Sequence, residues 1–130
     1  MKKHIIISFI LMSVSIFLTT NSIAESSWTP AKGLENNMNV YGKLLVNGIM
    51  VHSNNYIIAA FDNFDVCKGK AAVKMHDKSV NYYITISSNN NSETLYFKVL
   101  DTKTGTEYKI MDTITFSSDS TIADKVLNAF

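Results

Sequence analysis

Val80-Asn81-Tyr82-Tyr83-Ile84-Thr85-Ile86-Ser87 is the stretch that decides the fold. Val80, Tyr82, Ile84 and Ile86 fall on one parity, and the residues between them, apart from Tyr83, are small or polar. Side chains alternate faces with period two along a strand, so this is a strand with one buried face. Downstream, Ser88 to Ser92 holds three consecutive asparagines and reads as an exposed loop. Thr94 to Leu100 then alternates again, with Leu95, Phe97 and Val99 inward. Asp101 to Thr106 contains Gly105 and closes a hairpin onto Glu107 to Met111. Thr113 to Phe116 is a further short strand, and Ser117 to Phe130 is a polar tail with an apolar end.

Upstream the same grammar holds. His76-Asp77-Lys78 is a turn. Val66 to Met75 is a strand whose Gly69 signals a bulge or a close backbone approach. Tyr56 to Phe61 is nearly all apolar and reads as a central strand buried on both faces. Met38, Val40, Leu44 and Val46 share one face of the first strand. Asn47-Gly48 follows, which suits a type I′ hairpin because both central residues need positive φ. Ile49 to His52 is the return strand. Short strands with turns at close intervals indicate an all-β, antiparallel β-sandwich of seven to eight strands.

Before the first strand the pattern differs. Lys2 and Lys3 precede an apolar run from Ile5 to Leu18, and Ser22-Ile23-Ala24 supplies small residues for cleavage. This reads as a secretory signal over residues 1–24, the run being short of the roughly 20 apolar residues of a membrane span. The expected organisation is therefore a signal peptide (1–24), a lead-in segment (25–37) and a sandwich domain (38–130). The expected location is secreted or periplasmic, without stable membrane insertion after cleavage. A β-barrel in the outer membrane fails on length, since eight strands of about 9–11 residues would consume nearly the whole mature chain.

Charge and composition exclude several functions. The chain carries +1 as a whole, and loss of Lys2 and Lys3 leaves a mature domain that is close to neutral. No strongly basic face is expected, so nucleic acid is not the partner. The sequence has no arginine, the usual bidentate grip on phosphate or carboxylate. Cys67 is the one cysteine, so an internal disulfide cannot form, and a buried small hydrophobe is its expected role.

From Trp28 onward the chain resembles a β-sandwich module of secreted and surface-anchored bacterial proteins, where it sits among fibronectin type III and other immunoglobulin-like domains. The resemblance is carried by Asn37-Met38, Val40, Asn47-Gly48, Ala59-Ala60-Phe61, Asp65, Cys67-Lys68-Gly69 and Ala71. It continues through Tyr83, Thr85-Ile86, Glu93, Phe97-Lys98-Val99, Asp101, Gly105, Tyr108, Thr113, Phe116, Asp119 and Asn128-Ala129-Phe130. Ser92 and Asp124 stand where that family prefers glycine, and Ala129 where it has proline. The resemblance implies an immunoglobulin-like sandwich and a non-catalytic, accessory or adhesive role, with no catalytic residues to carry over.

The residues themselves suggest three kinds of chemistry. Trp28, Tyr41, Tyr83 and Tyr108 are candidate ligand-binding residues: aromatic faces stack on sugar rings while polar groups bond the hydroxyls. The three tyrosines lie on the parity opposite the apolar faces of their strands. Asp62, Asn63 and Asp65 are a candidate cation site, since Ca²⁺ takes six to eight hard oxygen ligands, against the alternative of an Asx-rich turn. His52, His76 and Cys67 lie in no recognisable catalytic motif. The expectation is a non-enzymatic binding module with a glycan or a surface protein as partner. No obligatory cofactor is expected, Ca²⁺ being the one considered, and a homo- or hetero-oligomer is compatible with the sequence. The alternatives are an assembly subunit that pairs by strand addition through a detached lead-in, and a small secreted hydrolase.

Overall fold

The structure is a computed structural model that describes residues 27–130; the signal segment, 1–24, lies outside the described residues. Eight strands and no helix make up the described residues: β1 (Asn36–Val46), β2 (Ile49–Met50), β3 (Tyr56–Phe61), β4 (Cys67–Ala72), β5 (Tyr82–Ser88), β6 (Thr94–Asp101), β7 (Thr106–Thr115) and β8 (Thr121–Ala129). They form one curled, mixed sheet in the order β2-β1-β8-β7-β6-β3-β4, with β5 paired to β1.

The curl makes two arms that face each other. One holds β5, β2, β1 and β8, the other β4, β3, β6 and β7, and the Ile110–Ala129 pairing joins β7 to β8. Inward residues of both arms form a single core, with Met38, Val40, Leu44, Ile84 and Ile86 meeting Ile58, Leu95, Phe97 and Val99. The alternation in β5 and β6 thus predicted the correct inward set. Asn47 and Gly48 take φ of 50° and 82°, as a type I′ turn requires, and set Val46 opposite Ile49.

β2 and β5 follow one another along the same edge of β1, and a buried side chain bridges the gap between them. Asn81 accepts from the Leu44 amide at 2.6 Å and donates to the carbonyls of Leu44 at 2.9 Å and Val51 at 2.7 Å. Its amide supplies the ladder bonds that the interrupted strands leave unmade.

Gly69 shows both features expected of it. A bulge lies between the Ala60–Gly69 and Phe61–Cys67 pairs, and the Gly69 backbone lies against Thr85 and Ile86 of β5. This contact brings the two terminal strands of the curl together.

Four expectations need correction. The sheet is not wholly antiparallel, because β8 runs parallel to β1 from Asn39–Thr121 to Val46–Ala129. What read as a polar tail is this nine-residue strand. Residues 107–111 and 113–116 are not separate strands either; β7 is continuous and bulged where it passes Phe97. Finally, the described part of the lead-in is docked. Ala31 donates its N–H to the Cys67 carbonyl at 2.9 Å, and Trp28 packs on Ala59, Phe61 and Cys67. That small apolar patch on the outer side of β3 and β4 needs a cover, and Trp28 provides it.

Candidate binding surface

The outer face of β1 and β5 carries a ladder of three successive cross-strand pairs: Asn37–Ser87, Asn39–Thr85 and Tyr41–Tyr83. Directly opposed residues in an antiparallel pair share a face. The intervening pairs, Met38–Ile86 and Val40–Ile84, point into the core, so these three point outward. The Ser87 hydroxyl donates to Asn37 Oδ1 at 2.6 Å, and the Thr85 hydroxyl to Asn39 Oδ1 at 2.8 Å. Each carboxamide is oriented by its neighbour across the strand.

At the end of the ladder the rings of Tyr41 and Tyr83 lie nearly parallel, 9° apart, with centroids at 5.7 Å. Tyr83 is 44% exposed. The His76 ring lies 6.4 Å from that of Tyr83, tilted by 54°. Together with Asp77 and Val80 these rings line a shallow depression of about 220 Å³. Asp77 fixes the turn beside it. Its carboxylate accepts from Ser79 N at 2.7 Å, Ser79 Oγ at 3.1 Å and Val80 N at 2.9 Å. The Ser79 N–H is foremost among the causes that hold its pKa below the ordinary carboxylate value.

Of the four candidate aromatics, only Tyr41 and Tyr83 come together. Trp28 sits on the other arm, edge-on to Phe61 at 5.3 Å. Tyr108 does not stand free on an outer face. It pairs with the buried Val99 and packs at the rim of the core, because opposed residues share a side. It lines a depression of about 450 Å³ with Tyr56, His52 and the β2 hairpin.

The candidate cation residues form a turn whose carboxylates have partners within the chain. Asp62 Oδ1 accepts from the amides of Phe64 and Val66, both at 2.9 Å. Asp62 Oδ2 lies 3.7 Å from the buried Lys68 ammonium, which is also 3.8 Å from Glu93. The Ser88 hydroxyl bonds that same Glu93 carboxylate. Asp65 pairs with Lys98 at 2.8 Å. Asn63 lines the hollow beside the turn. The arrangement is an Asx turn locked by two lysines, and among the described residues no group of three His, Cys, Asp or Glu is placed to hold a metal ion.

The other reactive candidates are dispersed. Cys67 is buried beneath Trp28, and burial is the leading cause that pushes its thiol pKa up. His52 and His76 line separate depressions, neither of which includes Cys67. His76 neighbours Asp77, whose carboxylate is engaged by the turn.

Sequence reasoning placed Tyr41 and Tyr83 on outer parities, but not opposite each other. It missed His76 as their neighbour and the buried Lys68 network altogether. The polar residues opposite one another in β1 and β5 were the available signal. Comparison of the chain with known proteins gave no match: no family model, no curated protein and no solved structure matches it.

Proposed function

We propose that this chain is an exported, non-catalytic binding module of the immunoglobulin-like kind, secreted or periplasmic, that engages a glycan through the outer face of β1 and β5. The observation carrying this reading is the Tyr41–Tyr83 pair at the head of the Asn39–Thr85 and Asn37–Ser87 ladder. Sugar recognition needs an apolar ring surface beside fixed donors and acceptors, and this strip offers both on a rigid sheet. Its side chains are held before a ligand arrives, so little ordering cost falls on binding. The ladder itself is uncharged, which suits a ligand recognised by hydroxyls rather than by charge.

Titration of the purified protein against a panel of soluble polysaccharides and a glycan array tests the reading. Saturable binding that weakens at least tenfold in Tyr83→Ala and Tyr41→Ala, with unchanged folding, supports it. Absence of binding across the panel, or binding indifferent to both substitutions, refutes it.

A further inference from the structure

Lys68 is the extra residue of the β3–β4 bulge, since Ala60 pairs with Gly69 and Phe61 with Cys67. A bulge re-aims the side chain it carries, and here the ammonium comes to lie beside Asp62, the residue that follows β3. The side chains of Lys68, Asp62 and Glu93 are only 9%, 11% and 14% exposed. Enclosing two carboxylates and one ammonium is costly, because each charge gives up its water. Lys68 Nζ lies 3.7 Å from Asp62 Oδ2 and 3.8 Å from Glu93 Oε2, close beside both oxygens but beyond hydrogen-bond length.

The two oxygens of Asp62 have unlike surroundings. Oδ1 accepts from the amides of Phe64 and Val66, both at 2.9 Å, while Oδ2 faces Lys68. Two backbone N–H groups aimed at one oxygen stabilise the charge that gathers there when the carbonyl carbon is attacked. Glu93 is held in place by the Ser88 hydroxyl of β5. A carboxylate fixed beside an amine is placed to carry its protons.

We propose that Lys68 and Asp62 condense to an intramolecular amide, with Glu93 as the proton carrier. The Lys68 ammonium gives one proton to Glu93, and the freed amine attacks Asp62 Cγ. A C–N bond forms while the Phe64 and Val66 amides hold the charge on Oδ1. Glu93 passes that proton, and then a second one from Nζ, to Oδ2. The Cγ–Oδ2 bond breaks and water leaves. The three ammonium hydrogens become one amide N–H and the two hydrogens of water, and Glu93 ends as it began. The balance needs no further reactant.

Groups held side by side in this way react as if at an effective concentration of about 10⁵ M or more. The product also replaces two enclosed charges with a neutral amide. The bond closes residues 62–68 into a ring, a covalent staple in a chain whose single cysteine cannot form an internal disulfide. It forms once per molecule. It lies on the arm of β3, β4, β6 and β7, away from Tyr41 and Tyr83, and is independent of the glycan reading.

Intact and tandem mass spectrometry of the purified protein test the proposal. The wild type is expected to weigh one water, about 18 Da, less than its sequence requires. The missing water is expected to map to the peptide that joins Asp62 and Lys68, and trypsin is expected to leave the chain uncut after Lys68. Lys68→Arg keeps the buried cation but removes the primary amine, and Glu93→Gln keeps the shape but removes the proton carrier. Both are expected to show the full mass, with thermal melts as the control for folding. A wild type of full mass overturns the proposal. So does a water loss that persists in Lys68→Arg, which is the mark of an aspartate-derived succinimide.

Discussion

The backbone of Lys125 in β8 lies directly against Gly42 in β1, so close that a Cβ on Gly42 would fall 2.6 Å from the Lys125 amide nitrogen. The cause is a bulge. Val40 faces Ile122, but Gly42 faces Lys125, so β8 carries one residue more than β1 across this step. Asp124 absorbs the extra residue at a φ of 55°. The Tyr82 hydroxyl holds the bulge by donating to the Lys125 carbonyl at 2.8 Å.

Gly42→Ala therefore forces backbone apart rather than a flexible side chain. The expected loss is about 3 kcal/mol or more, in the range reserved for overpacking of a closed site. Gly33→Ala is the control, because its Cβ meets only open space and the substitution bears just the strain of a φ of 76°, about 1 kcal/mol. Urea unfolding midpoints of the two variants check the contrast.

Asn81→Leu keeps the size of a buried side chain but removes three hydrogen bonds. The Leu44 amide and the Val51 carbonyl lose their side-chain partner, while the Leu44 carbonyl keeps only the Val51 N–H at 3.2 Å. Each unsatisfied buried group costs about 1–3 kcal/mol, so with two such groups the expected outcome is a loss of at least about 2 kcal/mol. Hydrogen exchange of the Leu44 amide, faster in the variant than in the wild type, localises the damage.

Acid sensitivity follows from Asp101. Burial raises its pKa, but bonds from the Lys103 amide, the Asn55 side chain and Thr104 outweigh burial and hold it below the ordinary value. A native pKa below the unfolded one gives stability that is present above about pH 4 and lost as pH falls through the native value. Asp77 acts in the same sense. The melting temperature is expected to fall below about pH 4, and Asp101→Asn to fall less steeply there while starting lower at neutral pH. A pH series of thermal melts of both proteins measures this.

On the glycan reading proposed above, Trp28 and Tyr83 separate stability from binding. Trp28→Ala uncovers Ala59, Phe61 and Cys67 and is expected to cost about 2 kcal/mol while leaving glycan affinity intact. It also exposes the thiol, so labelling of Cys67 by a thiol reagent accelerates. Tyr83→Ala is expected to do the reverse: a small change in stability, a lost ligand and an unlabelled Cys67.

How much of this was legible in the sequence depended on parity. β5 and β6 are regular, so Ile84, Ile86, Leu95 and Phe97 announced their inward face. β8 was hidden because its bulge switches parity. Ile122 leans on the core before Asp124, whereas Leu127 and Ala129 are buried after it. An inserted residue moves every later side chain to the other face, and the result reads as noise. Ser92 and Asp124 take φ of 71° and 55° with no glycine to announce a left-handed backbone. The candidate surface was half legible. The outward parity of Tyr41 and Tyr83 is local information, but their opposition depends on the register between β1 and β5. Lys68 was invisible as a buried cation, because its partners Asp62 and Glu93 come from two different loops.

The parallel pairing of β1 and β8 also governs how the fold answers to force. Parallel neighbours begin at the same end, so β1 starts and β8 finishes at opposite ends of the molecule. Tension applied between those two points slides the strands lengthwise and loads the bonds of their ladder together. A hairpin pulled from its open end instead gives way one bond at a time. Unfolding under load is governed by the height of the barrier rather than by equilibrium stability, and shear across a whole ladder raises that barrier.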